Sequence, residues 1–187
     1  MKKWIKKVVT VILTTAMTLS VGMPVFASEE PKESEKSLNT IVIDVPEKNI
    51  PDVQITRAGD TEYKRELVET KSFTKKYIGV AGNQPSGGTV FNSAGGFYWS
   101  DGGNIVNVSF ALAAGPVSIG ISAGKSGSSG TYISAPVNVA CKLHIYKDVT
   151  VRKYALYRKT VGSSTWILDS YDYGAETTRN YLDVRPV

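Results

Sequence analysis

The stretch NIVNVSFALAAGPVSIGISAG, residues 104–124, decides how this chain is read. Val106, Val108, Phe110 and Leu112 fall on one side of a period-two pattern, against Asn107, Ser109 and Ala111. Beyond Gly115-Pro116, Val117, Ile119 and Ile121 alternate with Ser118, Gly120 and Ser122. A period of two marks half-buried strands, and Gly-Pro marks a turn, so an antiparallel hairpin is expected. No Lys, Arg, Asp or Glu lies between Asp101 and Lys125. Two readings follow. In the first, which takes precedence because core hairpins are far commoner, the hairpin is the inner wall of a β-sandwich. In the alternative, Val106, Val108, Phe110, Leu112, Val117, Ile119 and Ile121 form the lipid-facing side of a hairpin that enters a membrane.

The same alternation recurs along residues 60–187. ELVETKSFTKKYIGV opens this region, and TVF and FYW follow between glycine-rich breaks. PVNVACKLHIYK puts Val137, Val139, Cys141, Leu143 and Ile145 on one face and His144 on the other. TVRKYALYRKT and TWILDSYDY flank VGSS as a further hairpin, and TRNYLDVRP is the last strand expected. No helical period persists across three turns. Short strands separated by GNQPSGG, SDGG and GKSGSSG predict an all-β fold, an antiparallel β-sandwich with a small barrel as the alternative. Cys141 has no partner for an internal disulfide and reads as a small buried hydrophobe.

Ahead of this domain the composition changes twice. Residues 1–27 carry Lys2, Lys3, Lys6 and Lys7, then an apolar run, then Val25-Phe26-Ala27. That is the pattern of a cleaved secretory signal peptide, in a style common to Gram-positive bacteria, and it predicts a secreted, extracellular protein. Residues 28–59 hold seven acids and four bases and begin with SEEPKESEKS, which has too little apolar surface to order itself. They are expected to be a flexible acidic linker or a pro-segment, although LNTIVIDV has the makings of one strand. Without the four lysines of the signal, 18 bases face 17 acids, so the basic pI gives no ground for nucleic-acid binding. No sorting motif or apolar tail is present before RPV, and covalent wall anchoring is not expected.

The residues that could carry chemistry do not form a constellation. His144 is the single histidine and sits on the polar face of its strand, where it is expected to be exposed. GISAGKS has three rather than four residues between Gly120 and Gly124-Lys125, and no helix follows, so it is not a phosphate loop. Glu66 and Glu69, like Asp169 and Asp172, fall on opposite strand faces by their spacing. Asp101-Gly102-Gly103 is a turn rather than a calcium loop. No catalytic residue, metal site or cofactor is predicted, and the protein is expected not to be an enzyme.

Aromatic side chains carry more information. Phe97, Tyr98 and Trp99 stand between glycine pairs, and seven tyrosines of the second half interleave with lysines and arginines. Exposed rings cover apolar sugar faces, and Tyr/Arg surfaces suit protein recognition. Phe97, Tyr98, Trp99, Tyr154 and Arg158 are therefore the expected ligand-binding residues. The ligand would be a cell-envelope glycan or a protein. The function expected first is non-catalytic binding at the cell surface or beyond it. The alternative is a membrane-active bacteriocin or toxin that inserts residues 104–124; a membrane is a partner only in that case.

Overall fold

The computed structural model describes residues 37–46 and 52–187; the signal peptide and most of the acidic run lie outside the described residues. These residues form ten strands and no helix: β1 (Asn39–Asp44), β2 (Val53–Ala58), β3 (Thr61–Val80), β4 (Gly95–Ser100), β5 (Ile105–Leu112), β6 (Gly115–Ser122), β7 (Lys125–Gly127), β8 (Thr131–Ala135), β9 (Cys141–Thr160) and β10 (Ile167–Pro186). The fold is all-β with antiparallel sheets, as the alternation predicts.

Three strands are far longer than expected, with β3, β9 and β10 at 20 residues each. PVNVACKLHIYK and TVRKYALYRKT are not separate strands. The charged pair Lys147-Asp148 between them keeps its backbone in the ladder, because both side chains find partners: Asp101 for Lys147, and the Lys75 N–H and Tyr181 hydroxyl for Asp148. Bulges in β3 and β10 bend these long strands and raise their local twist.

The long strands form a sheet in the order β1-β10-β9-β3-β2. Its two edge strands come from residues 39–44 and 53–58, inside the segment read as a flexible linker. Ile41 and Ile43 of β1 pack against the core, which explains why LNTIVIDV is recruited. The strand structure therefore begins well before residue 60.

A β7-β4-β8 sheet and the separate β5-β6 hairpin pack on one half of one face of the long sheet. Between these layers lie Ile78, Phe97, Trp99, Val108, Phe110, Ile133, Leu143, Ile145, Val149, Leu182 and Val184. Burial of a side chain of this size contributes about 1.5–3 kcal/mol, so this half holds the domain together. Cys141 lies in the same core, and burial pushes its thiol pKa up. The other half of the long sheet, around the β2-β3 and β9-β10 turns, carries no covering layer among the described residues. We call it the distal end.

His144 departs from expectation. It is buried, with its Nδ1 3.3 Å from the Tyr77 hydroxyl and its ring stacked on the Tyr77 ring. Tyr77, itself packed against Tyr146, covers it from the same face of the sheet without a second layer, so alternation alone does not separate inside from outside here.

Candidate functional site

The hairpin expected at residues 104–124 forms. Its register pairs Val106 with Ile121, Val108 with Ile119 and Phe110 with Val117, so these six apolar residues face one another, while Ile105 lies on the other side opposite Ser122. Ser109 faces Ser118 and Asn107 faces Gly120 on the other side. Val108, Phe110, Leu112 and Ile121 are buried; Val106, Val117 and Ile119 are half-buried against the same core. Phe110 is fully buried, edge-on to Phe73 of β3 at 5.1 Å between ring centroids.

The attachment of this hairpin is unusual for a core element. Among the described residues β5 and β6 hydrogen-bond to each other and join no other strand. Besides side-chain packing, polar ties hold the hairpin at its two ends. At the tip, Lys71 Nζ donates to the Ala111 carbonyl at 2.7 Å and the Ala113 N–H donates to Glu69 Oε1 at 2.9 Å. At the base, Asn104 Nδ2 donates to the Val80 carbonyl at 3.0 Å. The Ser122 hydroxyl accepts the N–H groups of Gly102 and Gly124, at 3.1 and 3.0 Å, and so ties the entering and leaving chains together.

Glycines stand where the chain enters and leaves. Gly102 and Gly103 adopt φ of 94° and 76°, a region that favours glycine, with open space around Gly102. Gly124 has φ 67°, and a Cβ there would come within 2.3 Å of Trp99 Nε1. The hairpin is thus flanked by backbone that glycine alone holds without strain.

A buried charge sits at the same place. Lys147 projects from β9 into the core, 1% exposed, and its Nζ lies 3.2 Å from Asp101 Oδ1 and 5.8 Å from the Trp99 ring centroid. Burial lowers the Lys147 pKa against the opposing pull of Asp101. Burial pushes the Asp101 carboxyl up, but Lys147 and the Gly102 and Ser122 hydrogen bonds outweigh it and hold it below its usual range. Across the ladder from Lys147, Asn180 is also buried, and its Oδ1 has no hydrogen-bond partner among the described residues.

The ring cluster expected from sequence divides. Phe97 and Trp99 are buried in the core, where Trp99 Nε1 donates to the Ala123 carbonyl at 3.1 Å; neither ring reaches a surface. Their neighbour Tyr98 points outward and pairs with the exposed Tyr132 at 5.1 Å between centroids. Tyr154 is buried beneath the Arg65 guanidinium, 3.5 Å from the ring centroid. Arg158 is exposed and paired with Asp169 at 3.1 Å. Alternation placed these side chains correctly on strands, but which face receives a second layer is a tertiary fact.

The distal end holds a shallow groove of about 350 Å³, lined by Gln54, Thr56, Tyr63, Arg65, Leu156 and Asp169 among others. Sequence reasoning missed it, because it assigned residues 53–58 to a linker. Among the described residues no group of three His, Cys, Asp or Glu side chains is placed to hold a metal ion, and no helix is long and apolar enough to cross a membrane. No protein-family model, curated protein or solved structure matches this chain.

Proposed function

We propose that this is a secreted, non-catalytic, membrane-active protein whose β5-β6 hairpin leaves the core and enters a lipid bilayer. The observation that carries this reading is the isolation of the hairpin: its backbone pairs internally, so release breaks no ladder with another described strand. Release exposes one continuous apolar face, and hydrocarbon takes it up as the core did. Each strand has eight residues, about 26 Å of extended chain at 3.3 Å per residue; at the 35–45° tilt of membrane barrels this spans about 20 Å, so the roughly 25 Å apolar band would have to thin locally around it. The uncharged Asn107, Ser109 and Ser118 face would then meet water in a lumen.

Physical chemistry adds a requirement. Two strands alone leave their outer N–H and C=O groups unpaired in hydrocarbon, so hairpins from several copies must close a barrel. The smallest barrels have about eight strands, or about four hairpins.

The test is dye release from phosphatidylcholine vesicles by the secreted protein and by a Glu69→Cys/Ala113→Cys variant joined through a disulfide or a short bis-maleimide. The expected result is leakage by the parent, none by the tethered form, and recovery when the disulfide is reduced. Cys141 is fully buried and does not compete. Equal leakage by both forms, or none by folded parent, overturns the reading.

A second reading is favoured by the distal groove. Tyr63 with Gln54, Thr56 and Asp169 suits a glycan or protein ligand, with the hairpin remaining in the core. Capture of envelope material that Tyr63→Ala abolishes, without leakage, supports it.

A further inference from the structure

Seven of the fifteen exposed large apolar side chains among the described residues lie where no second layer covers the sheet, including two of the four most open, Ile55 and Ile167. Cross-strand register defines which of them share a face. Leu168, Tyr157, Lys64 and Ile55 form one row, and Tyr171, Ala155, Glu66 and Val53 form the next row but one on the same face. On the opposite face Ile167, Arg158, Tyr63 and Thr56 align. Ile55 is 62% exposed on the first face and Ile167 is 59% exposed on the second. Leu168, Tyr171, Val53 and Tyr63 are exposed as well. Single exposed apolar residues are ordinary, but apolar side chains gathered on one end of a sheet can form the contiguous kind of surface that meets another phase or partner.

The charges at this end are balanced and locally paired. Residues 53–69 and 152–172 hold seven bases and six acids. Lys64 pairs with Glu66 at 2.8 Å, Lys159 with Glu62 at 3.0 Å and Arg158 with Asp169 at 3.1 Å. Two of the amines also lie over rings, Lys64 4.5 Å from the Tyr157 centroid and Lys159 4.8 Å from that of Trp166. Such a surface has no net field to draw in a polyanion. It does match a zwitterionic layer, in which cations and anions also alternate, and Trp, Tyr and Lys are the side chains that settle at a membrane interface.

Orientation distinguishes a bilayer from a protein partner. A protein docking on a sheet covers one face, whereas a sheet end dipped into an interface wets both. The hairpin also points this way: its base lies beside Val80 and its tip beside Glu69, farther up β3 toward Thr61.

We propose that the distal end of the long sheet is a docking surface for zwitterionic lipid bilayers, with Ile55, Leu168 and Trp166 on one side and Ile167 and Tyr63 on the other. This rests on the membrane reading of the hairpin and names the surface that first meets the lipid.

Flotation of the secreted protein with phosphatidylcholine vesicles, with and without added phosphatidylglycerol, tests it. Quenching by brominated lipid reports on Trp166, because Trp99 is buried and residues 28–187 contain no other tryptophan. Binding to phosphatidylcholine alone is expected, with little dependence on salt and with quenching of Trp166. Ile55→Asp/Leu168→Asp and, separately, Ile167→Asp should each weaken binding by about ten-fold or more, since every 1.4 kcal/mol of lost apolar burial is a factor of ten. All three positions are exposed, so a folded protein is expected, checked by circular dichroism. Binding to anionic vesicles only, or binding unchanged by either variant, overturns the proposal. So does capture by a glycan or protein with no flotation. The Glu69→Cys/Ala113→Cys tether separates the two ideas. Flotation of tethered protein, with no leakage by the untethered form, keeps the docking surface and removes the hairpin reading. Leakage that the distal substitutions leave intact does the reverse.

Discussion

Lys147 Nζ lies 3.2 Å from Asp101 Oδ1, and this pair joins the core face of β9 to the residue that begins the approach to the hairpin. Asp101 is the single charged residue between Lys76 and Lys125, and its close cationic partner among the described residues is a lysine that is itself almost fully buried. The pair therefore ties an otherwise uncharged insertion to the long sheet.

Removing one member leaves the other uncompensated. Asp101→Asn should destabilise the fold by roughly 2–3 kcal/mol in urea unfolding, below the 3–5 kcal/mol of a fully buried pair because Asp101 is half exposed. Lys147→Met should be near neutral or stabilising, since it replaces a buried charge by an apolar side chain of similar volume. The two substitutions should also move dye release in opposite directions, Asp101→Asn faster and Lys147→Met slower.

The pH dependence follows from the sign of the Asp101 shift. Its folded pKa is depressed, so its contribution is present above the unfolded value and lost as pH falls through the folded one, below about pH 4. Unfolding free energies measured from pH 7 to pH 3 should fall over that window. In Lys147→Met the fall should be smaller, because the main cation holding the carboxylate ionised is gone.

The two sides of the hairpin should respond differently. Phe110→Ala removes a fully buried ring and should cost about 3–5 kcal/mol in thermal or denaturant unfolding. Ser109→Lys lies on the exposed side and should change stability by less than about 0.5 kcal/mol. In planar bilayers the same Ser109→Lys protein should shift the reversal potential toward anion selectivity, as a cation ring in a lumen does. An unchanged selectivity in a conducting variant would place Ser109 away from the lumen.

Gly124→Ala should destabilise more than Gly102→Ala. Both have positive φ, which costs about 1 kcal/mol for a residue with a Cβ. At Gly124 the added carbon also meets Trp99 Nε1 at 2.3 Å and the Ser100 carbonyl oxygen at 2.6 Å, whereas Gly102 faces open space. Melting temperatures of the two variants compare these effects directly.

Much of the architecture was legible in the residues. Period-two alternation in 105–112 and 115–122 determined a hairpin and its two faces, because side chains on a strand alternate whatever surrounds it. The burial of Cys141 and the turn at VGSS followed from the same local rules. Alternation does not say whether a face receives a second layer. Phe97 and Trp99 look like display rings between glycines, yet a packed layer covers them; His144 looks polar, and Tyr77 covers it. Leu168 looks like an ordinary strand residue and Ile55 like part of a linker, but both stand exposed on a sheet face that no layer covers among the described residues. Long-range pairing brought residues 39–44 and 53–58 to the edges of one sheet, and set Lys147 against Asp101 across 46 positions of sequence. By itself the sequence determined strands, faces and turns, which depend on neighbours along the chain. Only the tertiary structure decided which faces are core, which hairpin pairs with no other described strand and which charge lies beneath it, since those depend on what packs from afar.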